Sequence, residues 1–163
     1  MGISSELVIR PAGPGDVGVI LGFIRALAEF ERLADEAVAD EATLSRSLFG
    51  PRPYAECLIA CVGNEPAGFA LYFHNFSTFT GKPGLYLEDV FVDPRFRGRG
   101  IGEALFHELA KIAQARDCAR FEWSVLDWNE NAIRFYRRLG AEPKPGWTVQ
   151  RLTRDKIEKL ANG

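Results

Sequence analysis

Residues 94–110, PRFRGRGIGEALFHELA, join a glycine-rich turn to an amphipathic helix. Gly98, Gly100 and Gly102 alternate with other residues, and apolar residues then recur at helical spacing. The first backbone N–H groups of a helix have no partner inside it, and the helix dipole attracts an anion there. Because glycine lets a phosphate approach the main chain closely, the stretch predicts a phosphate site at the start of a helix.

The residues of this turn leave the identity of the ligand open. Arg97 and Arg99 add positive charge beside the glycines. The Gly-Lys-Ser/Thr sequence of a P-loop is absent, and the glycine spacing is G-x-G-x-G rather than the G-x-G-x-x-G of dinucleotide-binding folds. The motif alone therefore predicts only a ligand that carries phosphate.

Strands and helices are predicted on both sides of the turn, in the order β-α-α-β-β-β-α-β-α-β. The predicted strands are 6–12, a hairpin around the GNEP turn at 63–66, 84–92, 119–126 and about 146–152. Five helices are predicted. The first runs from Val17 to Ala28 with Asp16 as its cap, and the second covers 43–50. The third has Ile101, Leu105, Leu109 and Ile112 on one face, the fourth covers 129–140 with Asn129 as its cap and Gly140 as its end, and a short charged helix closes the chain. We expect a mixed α/β sheet in a single domain, 1–163.

Composition excludes several classes of function. The net charge of −2 argues against a nucleic-acid partner. Cys57, Cys61, Cys118, His74 and His107 do not have the spacing of a zinc site, so no metal is expected. No apolar run approaches the ~18 residues of a membrane span. The first residues, MGISSELVIR, lack a leader pattern, so we expect a cytoplasmic protein with reduced thiols.

Two longer stretches carry a family resemblance. Arg97-x-x-Gly100-x-Gly102 matches the R/Q-x-x-G-x-G/A signature of the GNAT superfamily of acetyl-CoA-dependent N-acetyltransferases. LYLEDVFVDPRFRGRGIG (85–102) and LDWNENAIRFYRRLGA (126–141) resemble its diamine (spermidine/spermine) and thialysine branch. The resemblance implies a mostly antiparallel sheet with a central V-shaped splay, flanked by helices, and it implies acetyl-CoA as the acetyl donor and a homodimer.

Tyr136 is the candidate general acid for the leaving thiolate. It follows Asn129 by two helical turns, so the two side chains share a face, with Ala132 between them. From the residues alone, a core tyrosine is the more common explanation. The resemblance favours the catalytic role, and it implies that Asn129 contacts the pantetheine arm.

Glu88 and Asp89 interrupt an otherwise apolar strand. Neighbours in a strand point to opposite faces, so at least one carboxylate faces a side that apolar residues otherwise cover. One acid could cap the strand and the other bond an arginine. Alternatively, Glu88 holds the ammonium group of the substrate and relays its proton through water, which the resemblance supports.

The resemblance also implies the remaining site residues. The main chain of Val90, Phe91 and Val92 would pair with pantetheine and offer an N–H to the thioester oxygen. The other expected cofactor contacts are Arg97, Gly98, Arg99, Gly100, Ile101, Gly102, Glu103, Asn129 and Ala132. The expected substrate contacts are Phe30, Glu31, Glu88, Asp89, Glu122, Trp123 and Ser124.

The amine that is acetylated stays open among diamines, polyamines, thialysine and lysine-like substrates. Ser77 stands where the polyamine enzymes have an acid, and Phe79 where they have an indole, which favours a small lysine-like amine. Two other functions remain: a CoA-binding module without activity, and an acetyltransferase for protein lysines or N-termini.

Overall fold

A computed structural model describes residues 6–163. Residues 1–5 lie outside the described part of the chain, and the expectation of no leader falls partly on them. The chain divides into two compact units, Met1–Ser124 and Val125–Gly163, and each is described by itself. The prediction of a single domain over 1–163 stays a prediction.

The first unit is built on a five-stranded sheet in the order β1-β2-β3-β4-β5. The strands are β1 (Leu7–Pro11), β2 (Glu56–Val62), β3 (Glu65–Ser77), β4 (Lys82–Val92) and β5 (Arg120–Trp123). Neighbouring strands are antiparallel except β4 and β5, which are parallel. The expected mixed, mostly antiparallel sheet is confirmed. The strand predicted at 119–126 is shorter than expected.

Helices cover both faces of this sheet. Helices α1 (Val17–Phe30) and α2 (Glu41–Phe49) pack on one face, where their apolar residues form a core with Cys57, Ile59, Phe69, Leu71 and Phe91. We call this the α1 face. Helix α3 (Ile101–Ala115) covers the other face, where the ring of its Phe106 lies 5.9 Å from that of Phe121.

The predicted cap of α1 is only partly confirmed. Asp16 occupies the N-cap position, but its side chain makes no capping hydrogen bond. Its carboxylate instead accepts bonds from Arg10, at 2.8 and 2.9 Å, and from the backbone N–H of Gly13, at 2.7 Å. Asp16 therefore ties the end of β1 to the turn before α1.

Strand β4 contains a bulge at Glu88. Leu71 of β3 lies opposite Asp89 and Tyr72 lies opposite Leu87, so Glu88 has no partner on β3. On the other side, the pairing of β4 with β5 ends at Leu87 and Trp123. From Glu88 to Val92, β4 has no strand partner on that side among residues 6–163, which agrees with the expected splay.

The second unit contains helices α4 (Glu130–Arg138) and α5 (Arg154–Asn162). Asn129 caps α4 as predicted, because its side chain accepts a hydrogen bond from the N–H of Ala132. Gly140 ends this helix region with a φ of 94°.

The strand predicted at about 146–152 is wrong, because these residues, all of them described, form no strand. Trp147 and Val149 are 86% and 82% exposed. Their alternation resembles a strand, but alternation alone supplies no neighbour for backbone hydrogen bonds.

Candidate active site

The glycine loop, Arg97–Gly102, leads into α3; the backbone N–H of Arg97 donates to the carbonyl oxygen of Pro94, and the N–H groups that follow are unused. Gly98 and Gly100 have φ values of 79° and 75°, in the left-handed region that favours glycine. The N–H groups from Gly98 to Glu103 donate to no other described residue. A Cβ added at Gly98 or Gly100 would meet nothing within 4 Å, so space is open beside the main chain. Such a concave set of N–H groups fits an anion such as a diphosphate.

Arg97 makes contacts within the protein that the sequence does not predict. Its guanidinium lies 5.5 Å from the ring centre of Phe30 and 5.8 Å from that of Phe91. Its Nε donates to the carbonyl oxygen of Val92 at 3.3 Å. Arg97 therefore links the glycine loop to the end of α1, which is a role that its charge alone does not reveal.

The unpaired edge of β4 lies next to the glycine loop along the chain. The side chain of Val92 faces α3, since its Cγ2 lies 3.9 Å from the position of a Cβ on Gly102. Val90, Phe91 and Val92 therefore present an extended backbone edge beside the start of α3. A narrow polar arm with amide groups can add to such an edge as a further strand does.

Three carboxylates form an acidic cluster, Glu31, Glu88 and Asp89, at the bulge of β4. Asp89 shares this face with Phe91 because side chains alternate along β4. Burial, with the charges of Glu88 and Glu31, raises the pKa of Asp89 to about 6. Burial also raises the pKa of Glu31, which follows the last residue of α1. Glu88 is exposed at the bulge. The cluster is suited to binding a cation.

Asp89→Asn is expected to stabilise the protein at neutral pH. A carboxyl whose pKa is raised on folding binds its proton more tightly in the folded state, so it adds stability below its usual pKa. That contribution is lost as the pH rises from about 4 to about 6. The variant should gain on the order of 2 kcal/mol over the wild type at pH 8 and nothing near pH 4.

Urea unfolding between pH 4 and pH 8 measures this difference. Asp35→Asn is the control, because Asp35 is exposed on a short turn and should give no such difference. A stability gain for Asp89→Asn that stays constant from pH 4 to pH 8 would contradict the argument.

The predicted substrate residues of β5 face opposite sides of the sheet. Trp123 packs on the α3 side, with its ring 4.9 Å from that of Phe106. Alternation places Glu122 and Ser124 on the α1 face, the side of the acidic cluster. Asp89, Glu122 and Ser124 thus lie on the α1 face and Trp123 lies on the other, while the charges of Glu31 and Glu88 act on Asp89.

Two residues on the α1 face were missed by the sequence analysis. The hydroxyl of Tyr86 lies 3.0 Å from the hydroxyl of Ser124. Arg120 Nε lies 2.7 Å from Glu122 Oε1. Period-two alternation along β4 and β5 is the signal that could have found both residues, because it puts them on the same face as Glu122.

The predicted residues of the second unit lie on or next to α4. The Asn129 side-chain oxygen receives the N–H of Ala132 at 3.3 Å, which leaves the side-chain NH₂ as a donor. Tyr136 is half-buried, and its ring lies 5.7 Å from that of Phe135. Asn129 thus orients the first turn of the helix that carries Tyr136.

The remaining residues considered in the sequence form no second centre in the described part of the chain. Cys57 and Cys61 are buried, Cys118 is half-buried, and all three thiols are free. Residues 6–163 contain no group of three His, Cys, Asp or Glu side chains placed to hold a metal ion. In the same range, every helix is too short or too polar to cross a membrane.

Comparison with known proteins shows the family of the chain. Residues 20–141 match the model of the acetyltransferase (GNAT) family. The chain is 37% identical to a thialysine N-epsilon-acetyltransferase of Sus scrofa, over 96% of this chain and 98% of that protein. It is 31% identical to an L-ornithine N5-acetyltransferase of Arabidopsis thaliana, over 93% and 86% of the two chains.

A solved structure shows the same fold. An integron cassette protein from the mobile metagenome of V. cholerae superposes with a TM-score of 0.81 and is 27% identical, over 99% of this chain and all of the other. The chain therefore belongs to the GNAT family and is an N-acetyltransferase that takes its acetyl group from acetyl-CoA.

Proposed function

We propose that this enzyme acetylates the primary amine of a small lysine-like amino acid or diamine. The acidic cluster at the bulge of β4 carries the proposal, because it gathers negative charge where β4 and β5 part. The names of the thialysine and ornithine relatives support a small amine that is a cation at neutral pH. Free polyamines are the less favoured substrates, since Ser77 and Phe79 replace the acid and the indole of that branch.

Glu88 and Asp89 bind the ammonium group, and Glu88 accepts its proton through water. A lysine-like amine has a pKa of about 10.4, so at pH 7 it must lose a proton before it can attack. Bulges recur next to active sites because they re-aim side chains, and the bulge here exposes Glu88. The amine then forms the new amide bond directly, with both substrates bound together.

Acetyl-CoA supplies the acetyl group as a thioester whose thiol leaves. The N–H groups of the glycine loop hold its diphosphate, and the backbone of Val90–Val92 holds its pantetheine arm. A backbone N–H of that segment donates to the thioester oxygen. Tyr136 Oη donates a proton to the departing sulfur, and Asn129 and Ala132 position the arm from α4. Arg97, Arg99, Ile101, Gly102 and Glu103 complete the contacts of the loop.

Gly100→Val is expected to weaken acetyl-CoA binding by about tenfold. A side chain in the left-handed region costs about 1–2 kcal/mol, and β-branched residues are the least tolerated there. The loop of the free variant relaxes to another conformation, and binding must restore the original one, so the cost appears in the Kd. Isothermal titration with CoA measures it.

Gly63→Val is a matched control for this change. Gly63 has a φ of 62° in the β2–β3 turn, and a Cβ there would also meet nothing within 4 Å. Both variants should lose stability, but only Gly100→Val should lose affinity for CoA. If the two variants bound CoA with equal affinity, the glycine loop would not be the site that binds the diphosphate.

A thiol-release assay with acetyl-CoA tests the proposed reaction. The amines are thialysine, lysine, ornithine, diamines and polyamines, together with a lysine-containing peptide and a free N-terminal peptide. We expect the highest kcat/KM with a lysine-like amino acid or diamine. Turnover of the peptides alone would indicate a protein-directed enzyme. CoA binding without turnover of any amine would indicate a binding module.

We also propose a homodimer in the cytoplasm. The free Cys57, Cys61 and Cys118 are consistent with a reducing compartment. The exposed Trp147 and Val149 offer apolar surface to a second copy. Sedimentation equilibrium tests the dimer, and a monomer at micromolar concentration would contradict it.

A further inference from the structure

The α1 face carries a second polar cluster beside the acidic one. This head-group cluster consists of Tyr86, Arg120, Glu122 and Ser124. We propose that it binds the α-ammonium and α-carboxylate of an amino acid whose side-chain amine is acetylated. The inference rests on the proposed function, and it commits the enzyme to an amino acid rather than a plain diamine.

The contacts within the cluster fix the positions of its polar groups on the α1 face. Arg120 and Glu122 form an ion pair, with Nε 2.7 Å from Oε1. Arg120 Nη2 also donates to the carbonyl oxygen of Phe76 at 3.2 Å, which fixes the guanidinium at a second point. The Tyr86 and Ser124 hydroxyls lie 3.0 Å apart, so at least one of them retains hydrogen-bonding capacity for a ligand.

The cluster is accessible to a small molecule. The side chains of Arg120 and Glu122 are 43% and 37% exposed. Arg120 Nη1 donates to no other described residue. The pair thus keeps one donor and one carboxylate oxygen for a ligand that carries both a carboxylate and an ammonium group.

The charge of the cluster favours a zwitterion. A lone carboxylate attracts a second ammonium group, as a diamine or polyamine would present. Arg120 offsets the charge of Glu122 and repels an extended polycation. An ion pair of opposite charges instead matches the head of an amino acid, whose carboxylate faces the guanidinium and whose ammonium faces the carboxylate.

The distance between the two clusters fits the length of a lysine-like side chain. Glu122 lies opposite Tyr86 in the β4–β5 register, and Tyr86 precedes Glu88 by two residues. At about 3.3 Å per residue, the two positions on β4 are roughly 7 Å apart. The spacing of about 4.8 Å between neighbouring strands adds to this, so Glu88 and Glu122 are roughly 8 Å apart. An extended side chain of lysine length, with a hydrogen bond of about 2.9 Å at its amine, covers that distance.

Gly84 makes room for the arginine. It lies opposite Arg120 in the register, and a Cβ there would lie 3.2 Å from Arg120 Cγ and would collide with the Asn75 side-chain oxygen. Because Gly84 has no side chain, the stem of Arg120 lies over β4 and its guanidinium reaches the carbonyl oxygen of Phe76 on β3.

Arg120→Gln tests the inference through two substrates of equal length, lysine and its decarboxylated diamine. We expect kcat/KM for lysine to fall about tenfold or more, since a charge-assisted hydrogen bond is lost, with little change for the diamine. Arg120→Lys should keep part of the preference for lysine. Lys111→Gln, on the exposed side of α3, is the control and should leave both substrates unchanged.

The outcomes separate this inference from the proposed function. An equal fall for the two substrates, or none for lysine, would overturn the head-group cluster while acetylation stands. A wild type that acetylates no amine would overturn the proposed function. In that case calorimetry of lysine binding to the wild type and to Arg120→Gln still tests the head-group cluster. Equal affinities of the two proteins for lysine would contradict the proposal that the cluster binds an amino acid.

Discussion

Tyr136→Phe is expected to lower kcat by about 100-fold or more, which is the range in which general acids contribute. The change removes only the hydroxyl, so the aromatic ring that lies 5.7 Å from Phe135 keeps its packing. If Tyr136 Oη protonates the departing thiolate, its loss acts on the chemical step and not on binding. The Kd of acetyl-CoA should therefore stay close to the wild-type value.

Rapid-mixing assays of thiol release, with calorimetry of CoA, measure the two quantities separately. Tyr54→Phe is a matched control, because Tyr54 is 75% exposed and lies in the turn before β2. A kcat that falls in parallel with the affinity for CoA would assign Tyr136 to cofactor binding. An unchanged kcat would mean that water, and not Tyr136, protonates the departing thiolate.

The sequence predicted the strands and helices whose side-chain pattern by itself indicates the local backbone conformation. Two apolar runs around the GNEP turn predicted β2 and β3, and helical spacing predicted α1 and α3. The prediction failed at 146–152, where a run with Trp147, Val149 and Leu152 forms no strand. A strand needs a neighbour to satisfy its backbone, and a pattern within one segment holds no information about that neighbour.

Some parts of the site could be predicted from the sequence, and others could not. The glycine loop could be found because φ values near 75° demand glycine, which leaves a visible trace in the sequence. The bulge at Glu88 leaves no such trace, because it depends on how β3 and β4 align. The sequence predicts Arg97 as a cofactor contact, and its stacking on Phe30 arises from tertiary structure alone.

Glu88→Gln is expected to reduce kcat by about 100-fold at pH 7 and to have much less effect at high pH. The carboxylate accepts the proton of an ammonium group, and a positioned base contributes 100-fold or more. Glutamine has nearly the same shape but accepts no proton. As the pH approaches the amine pKa of about 10.4, the neutral amine becomes abundant and needs no base. The kcat of the variant should therefore rise steadily with pH.

The pH dependence is what separates a base from a binding residue. If Glu88 only attracted the ammonium group, the variant would show a raised KM for the amine and a normal kcat at every pH. Its exposure at the bulge, next to a half-buried Asp89, favours the proton-accepting role, because water reaches Glu88 while Asp89 supplies the buried negative charge. Glu108→Gln, on α3, is the control and should keep the wild-type profile. A loss of kcat in Glu88→Gln that persists unchanged at high pH would exclude Glu88 as the proton acceptor.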